Sequence, residues 1–126
     1  MKVHIPSSAG DLIDRITILE VKKRFIQDEA KLKNIETHLK ELQKVHKKIP
    51  KSRTLSQLKK DLFEVNHHQW QLEDSVRIYL REKKITNAFA KLVHGIHVSN
   101  DKRSELKRRI DEHTRSHLVD EKHYAQ

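Results

Sequence analysis

Apolar side chains recur at steps of three and four residues along most of the chain, which is the spacing that places them on one face of an α-helix. The longest regular stripe consists of Leu55, Leu58, Leu62, Val65, Leu72, Val76 and Tyr79. The pattern as a whole predicts four helices, at about residues 8–25, 28–48, 54–83 and 87–115. We therefore expect a single all-α domain over residues 1–126, folded as a four-helix antiparallel bundle with a long central helical hairpin and a tail at residues 116–126.

The residues between these stretches indicate where the helices begin and end. Ser8, Asp28 and Asn87 each precede a stretch, and their side chains can accept a hydrogen bond from the first turn of a helix. Pro50 is expected to end the second helix, because proline has no backbone N–H to donate. The whole chain contains two glycines and two prolines, which are too few for the turns of a strand-rich fold.

The first predicted helix has apolar residues on two sides, whereas an outer helix of a monomeric bundle needs only one apolar stripe. One side consists of Leu12, Ile16, Leu19 and Ile26, which we assign to the core. The other side consists of Ile18, Val21 and Phe25. Because two-fold pairing is the commonest soluble assembly, we predict a homodimer with Ile18, Val21 and Phe25 as its interaction face. The alternative is that the third helix or the tail folds over this face.

Polar residues interrupt the apolar stripes of the third and fourth predicted helices. They are Asn66, Gln69, Glu73, Arg77, Ser99, Asn100 and Arg103. Because a buried charge needs a partner, we predict a buried pair between Glu73 and Arg103. The group is then either a structural hydrogen-bond network that fixes helix register or a pocket for a polar or anionic ligand.

The net charge of +9, with histidine counted as neutral, favours an acidic partner such as nucleic acid, an anionic membrane surface or an acidic protein. The densest basic run is residues 102–109, but it contains no aromatic side chain on which a base would stack. We therefore expect any nucleic-acid binding to be nonspecific.

The sequence predicts no membrane span. No stretch approaches the ~20 consecutive apolar residues of a membrane-spanning helix, and charged residues make up 36% of the chain. The first residues lack the apolar run of a secretory signal. We expect a cytoplasmic location, or export by a route that the sequence does not show.

The residue patterns on which common catalytic sites depend are missing. The chain contains no cysteine, no glycine-rich phosphate loop and no nucleophile elbow. His113 and His117 have the spacing of a metal-binding pair on a helix, but no carboxylate completes the usual zinc motif. We therefore predict no enzyme activity, no cofactor and no bound metal.

Two segments are more specific than a hydrophobic pattern. They are S-A-G-D-L-I-D-R-I-T-I-L-E-V-K, from Ser8 to Lys22, and N-D-K-R-S-E-L-K-R-R-I, from Asn100 to Ile110. The shorter segment D-E-K-H-Y follows at residues 120–124. Together they resemble a family of small bacterial all-helical proteins of unknown function, and the resemblance spans nearly the whole chain. It implies a fold but no established activity.

Three classes of function remain open. We favour a non-enzymatic helical protein-interaction module of adaptor or inhibitor type, because the residues give less support to the other two classes. The second class is a nucleic-acid or anionic-surface binder. The third is a small-molecule-binding helical enzyme of mutase type, in which the binding roles would fall to Arg15, Lys22, Glu73 and Arg103.

Overall fold

The computed structural model describes residues 1–116 and residue 121, and over these residues it contains four helices and no strand. The helices are α1 (Ala9–Phe25), α2 (Glu29–His46), α3 (Arg53–Arg81) and α4 (Asn87–Thr114). The prediction of an all-helical fold with four helices is confirmed. The predicted tail lies mostly outside the described residues.

Each helix begins at a side chain that accepts a hydrogen bond from the backbone of its first turn. Ser8 caps α1 and Asp28 caps α2, as the sequence predicts. Ser52 caps α3. For α4 the cap is Thr86 and not the predicted Asn87, because Thr86 has the extended backbone of a cap and its hydroxyl accepts from the nitrogen of Phe89 at 3.3 Å.

The central helix of the bundle is α1. It packs against α2 on one side and against both α3 and α4 on the other, whereas α2 packs against no helix except α1. The predicted hairpin of α3 and α4 is present and forms the most extensive helix pair. However, it lies beside the central helix and does not itself form the centre of the bundle.

This position of α1 explains its two apolar sides. One cluster of buried side chains joins α1 to α2 and consists of Leu12, Ile16, Leu19, Ile35 and Leu39. The other joins α1 to the hairpin and consists of Ile13, Leu55, Leu58, Leu62, Leu106 and Ile110. Val21 of the predicted interaction face is also buried within the single chain, at 1% exposure. A single chain thus places this helix centrally, with α2 on one side and the α3–α4 hairpin on the other.

The first turn of α1 lies against α4 at very short distance. A Cβ atom added to Gly10 would lie 2.5 Å from the carbonyl oxygen of Lys107 and 2.7 Å from Oδ1 of Asp111. Only glycine fits between the two helices without a shift of the backbone. This close approach fixes the height of α1 relative to α4, and with it the position of the polar residues one turn further along α1.

Candidate functional site

A buried carboxylate on α1 joins three helices. Asp14 is 3% exposed, and the guanidinium of Arg103 on α4 donates to both of its oxygens, with 2.9 Å between Nε and Oδ1. Asn66 on α3 donates from Nδ2 to Oδ1 of Asp14 at 3.0 Å and to Oγ1 of Thr17 at 2.9 Å. The Thr17 hydroxyl donates to the carbonyl of Asp14 at 2.8 Å. The bidentate pairing with Arg103 and the hydrogen bond from Asn66 compensate the carboxylate charge of Asp14, which would otherwise be costly to bury.

The predicted pair between Glu73 and Arg103 is wrong. Arg103 pairs with Asp14, and Glu73 instead accepts a hydrogen bond from Nε2 of Gln69 at 3.4 Å. The prediction considered only the two hairpin helices, and it left out the carboxylate that α1 brings between them. Asp14 and Thr17 could have been found in the sequence as polar residues spaced by three within the apolar run that includes Ile13 and Ile16.

A cleft of about 270 Å³ opens beside this network. Its lining residues come from α1, α3 and α4 and are Ile18, Val21, Lys22, Asn66, Gln69, Trp70, Glu73, Arg77 and Arg103. Five of the seven polar residues predicted to form this group therefore line one cleft. Ser99 and Asn100 are the exceptions, since they lie on α4 outside the lining. Ile18 and Val21 of the predicted interaction face belong to the wall of this cleft.

Two polar atoms of the lining residues are buried without a hydrogen-bond partner among the described residues. They are the acceptor Oε1 of Gln69 and the donor Nε1 of Trp70. A buried polar group without a partner costs about 1 to 3 kcal/mol, so two such atoms on consecutive lining residues require a reason. The Trp70 ring is held in place by Phe25, which stacks on it with 5.6 Å between ring centroids.

The charges around the cleft are mostly positive. Lys22, Arg77 and Arg103 contribute cations, and Glu73 contributes the one carboxylate of the lining. Arg103 already holds Asp14, and Arg77 contacts Asp74 at the exposed surface at 3.2 Å. Lys22 is half-buried and has no ion pair with the residues that the structure describes. The local field therefore favours an anion.

The profile of a protein family matches the chain over residues 1–126. The chain belongs to DUF6165, a family of unknown function. No curated protein and no solved structure gave a match to it. The predicted membership of an uncharacterised family is confirmed, and membership by itself assigns no activity to this DUF6165 chain.

The two long segments that suggested the resemblance face each other in the DUF6165 fold. Asp11 pairs with Lys107 at 2.8 Å, and Gly10 donates its backbone N–H at 2.6 Å to Asp111, the residue directly after the second segment. One turn further along, Asp14 pairs with Arg103. The segments thus encode one helix contact and one wall of the cleft, and the segment at residues 120–124 lies almost wholly outside the described residues.

The basic run at residues 102–109 does not form a free cationic strip on this DUF6165 chain. Most of its cations contact carboxylates, in the pairs Arg103–Asp14, Lys107–Asp11, Arg108–Glu112 and Arg109–Glu105. These carboxylates neutralise much of the charge that a phosphate backbone would need. Four of the five cations in the run are thus paired within the chain.

The structure brings together only some of the residues that the sequence suggested for a mutase site or a metal site. Of the residues cast in mutase roles, Lys22, Glu73 and Arg103 line the cleft of the DUF6165 chain, but Arg15 is exposed elsewhere on α1. Within the described residues there is no group of three or more histidine or acidic side chains that could hold a metal ion. His113 lies 2.9 Å from the Ser52 hydroxyl, and its predicted partner at position 117 lies outside the described residues.

Proposed function

We propose that this protein is a non-catalytic binding module and that the cleft between α1, α3 and α4 binds a small organic anion. The observation that carries the proposal is the pair of buried atoms without partners, Oε1 of Gln69 and Nε1 of Trp70. A ligand with one hydrogen-bond donor and one acceptor would satisfy both and recover the cost of burying them.

The lining indicates the chemistry of the ligand. Lys22 and Arg77 supply positive charge at the cleft, so the ligand carries a carboxylate or a phosphate. Glu73 and Gln69 supply acceptors, so it also carries a hydroxyl group. A volume of about 270 Å³ lies at the small end of ligand sites, which fits a metabolite of low mass. We therefore expect a small hydroxylated anion.

Binding without turnover is supported by the kinds of residue in the lining. It contains no serine, threonine, cysteine or histidine that would act as a nucleophile or as its base. Of the two arginines in the lining, Arg103 donates two hydrogen bonds to Asp14, so its guanidinium is already engaged within the protein. Turnover of chorismate or of a sugar nucleotide by the purified chain, abolished by a change of Arg103, would contradict this part of the proposal.

Calorimetry and thermal unfolding test the site with malate, succinate, glucose 6-phosphate and inorganic phosphate as probes. We expect malate to bind more tightly than succinate, which lacks the hydroxyl group. We expect the sugar phosphate to bind more tightly than inorganic phosphate, which lacks the carbon frame. The probes that bind should raise the melting temperature. Trp70→Phe keeps an aromatic ring at this position but removes the indole N–H. It should weaken binding by about tenfold.

Lys22→Met should weaken binding to a similar extent, because it removes a cleft charge that has no ion pair among the described residues. The matched control is Lys33→Met on the exposed side of α2, which removes the same charge away from the cleft. If no probe binds, or if Trp70→Phe and Lys22→Met bind as well as the Lys33 variant, the cleft is not the site.

A second candidate is the protein-interaction module of adaptor or inhibitor type. It is favoured by Phe25, a large apolar side chain that is 41% exposed and stacks on Trp70. An acidic side chain of a partner protein would then occupy the cleft, with Phe25 as an apolar contact beside it. Affinity capture from the native host tests this: a partner lost with Phe25→Ala and retained with Lys33→Met supports it, and capture that is unchanged by Phe25→Ala contradicts it.

A further inference from the structure

The hairpin of α3 and α4 extends well beyond the rest of the bundle. Helix α1 ends at Phe25, which packs on Trp70, and α3 continues for three further turns to Arg81. Helix α2 does not pack against the hairpin. Among the residues that the structure describes, the end of the hairpin, residues 78–91, is therefore held together by contacts between its own two helices.

Contacts between α3 and α4 hold the hairpin end together where it extends beyond the rest of the bundle. Tyr79 and Phe89 face each other with 6.4 Å between ring centroids. Lower down, a Cβ atom added to Gly95 would lie 3.2 Å from Cδ1 of Leu72, so the two helices approach closely there. The aromatic residues thus pack inside the hairpin end, and they do not account for the aliphatic side chains on its outside.

Three aliphatic side chains on the hairpin end are exposed to solvent. Ile78 is 48% exposed, Leu80 is 52% exposed and Ile85, in the turn, is 69% exposed. A single exposed aliphatic residue is ordinary, but these three fall within eight residues. Ile78 and Leu80 are separated by about 200° around α3, so they lie on opposite sides of it. A flat partner surface would cover one of them, whereas a medium that surrounds the hairpin end would cover all three.

The charges of the hairpin end indicate which medium. Residues 78–91 contain four basic side chains and one acidic side chain, and all five are exposed. They are Arg81, Lys83, Lys84, Lys91 and Glu82. Glu82 is paired with Lys84 at 3.0 Å. Exposed cations interspersed with exposed aliphatic residues match the interface of an anionic bilayer, where phosphates lie directly above the acyl chains.

We propose that the end of the α3–α4 hairpin, residues 78–91, inserts into the headgroup region of an anionic lipid bilayer. Ile78, Leu80 and Ile85 enter the boundary between headgroups and acyl chains, and the surrounding lysines and arginine contact lipid phosphates. The attachment is peripheral: within the described residues no helix is long and apolar enough to cross a bilayer. This proposal does not depend on the cleft, because the cleft lining on α3 ends at Arg77 and includes none of residues 78–91.

Co-sedimentation with vesicles tests it on the full chain. We expect binding to vesicles that contain two parts phosphatidylcholine and one part phosphatidylglycerol, and weak binding to phosphatidylcholine alone. The triple variant Ile78→Ser, Leu80→Ser and Ile85→Ser should bind the anionic vesicles about tenfold less tightly. The matched control replaces three exposed aliphatic residues elsewhere, Val3, Ile5 and Val45, by serine and should bind as the unaltered chain does.

A single-cysteine label makes the test independent of affinity, because the chain has no cysteine of its own. An environment-sensitive dye on Ile85→Cys should shift to shorter wavelength on anionic vesicles, and the same dye on Val45→Cys should not. Circular dichroism confirms that each variant is folded. The proposal is overturned if the chain does not bind anionic vesicles at low salt, if both triple variants lose binding equally, or if the hairpin variant loses a protein partner while it keeps its lipid binding.

Discussion

Asp111 accepts a hydrogen bond from the backbone nitrogen of Gly10 at 2.6 Å, and this bond places a carboxylate at the N-terminus of α1. The first turn of a helix has backbone N–H groups without partners inside the helix and carries a partial positive charge. Asp111 is 1% exposed, so the bond is formed away from water. Ser8 and Asp111 together satisfy the start of the central helix from two different elements.

Gly10→Ala should destabilise the fold by about 1 to 3 kcal/mol, measured as the free energy of unfolding in urea. The added Cβ would meet a backbone carbonyl of α4, which cannot move without shifting that helix. The matched control is Gly95→Ala, whose Cβ would meet only the flexible end of Leu72. Because alanine favours a helix by about 1 kcal/mol over glycine, the control should be neutral or stabilising. Equal losses from the two variants would contradict this account.

Arg103→Met should cost about 3 kcal/mol, because it leaves the buried carboxylate of Asp14 without its charged partner. The double change Asp14→Leu and Arg103→Met should cost less than the sum of the single changes. Glu73→Gln should change the free energy of unfolding by no more than about 0.5 kcal/mol, since Glu73 is not part of this ion pair. A large coupling between Glu73 and Arg103 in a double-mutant cycle would refute the assignment.

The helices could be predicted from the sequence because their signals are local. Apolar spacing and caps such as Ser8 and Asp28 depend only on residues within a few positions of one another. Several residues that line the cleft could also be singled out in the sequence, since Gln69 and Glu73 interrupt an otherwise apolar stripe. The sequence did not show which helix lies at the centre of the bundle. Whether α1 lies inside or outside the bundle depends on contacts between distant segments, such as that of Gly10 with Asp111, which no local pattern contains.

The missed role of Asp14 has the same cause. The sequence shows Asp14 as a polar residue within an apolar run, but its partner becomes evident only when α1 is placed between the other helices. Once it is there, Asp14 becomes the partner that Arg103 needs, and Glu73 is left to line the cleft. Burial therefore decided the pairing, and burial is a property of the tertiary arrangement.

Val21→Lys separates the packing role of α1 from the predicted homodimer. Val21 is buried within the single chain, so a lysine there should destabilise the fold by several kcal/mol at any protein concentration. Ile18→Lys, at a partly exposed position of the same helix, should be milder. Light scattering and urea unfolding at two protein concentrations check this. A dimer that Ile18→Lys converts into a stable monomer would restore the predicted interaction face.

His46 at the end of α2 should make stability depend on pH. Burial lowers the pKa of His46, and the charges of Lys59 and Lys51 lower it further. The unfolded chain therefore binds a proton there more readily than the folded one, so the free energy of unfolding should fall as the pH drops through about 6.5 towards the folded pKa. Above about 6.5 the contribution of neutral His46 is fully present.

His46→Gln should flatten this dependence, because glutamine stays neutral on both sides of the transition. The matched control is His38→Gln, which removes an imidazole from the exposed side of the same helix. Urea unfolding of the three proteins at a series of pH values from about 5 to about 8 measures the slope for each. A slope that His46→Gln leaves as steep as in the unaltered chain would mean that His46 takes up its proton equally well folded and unfolded.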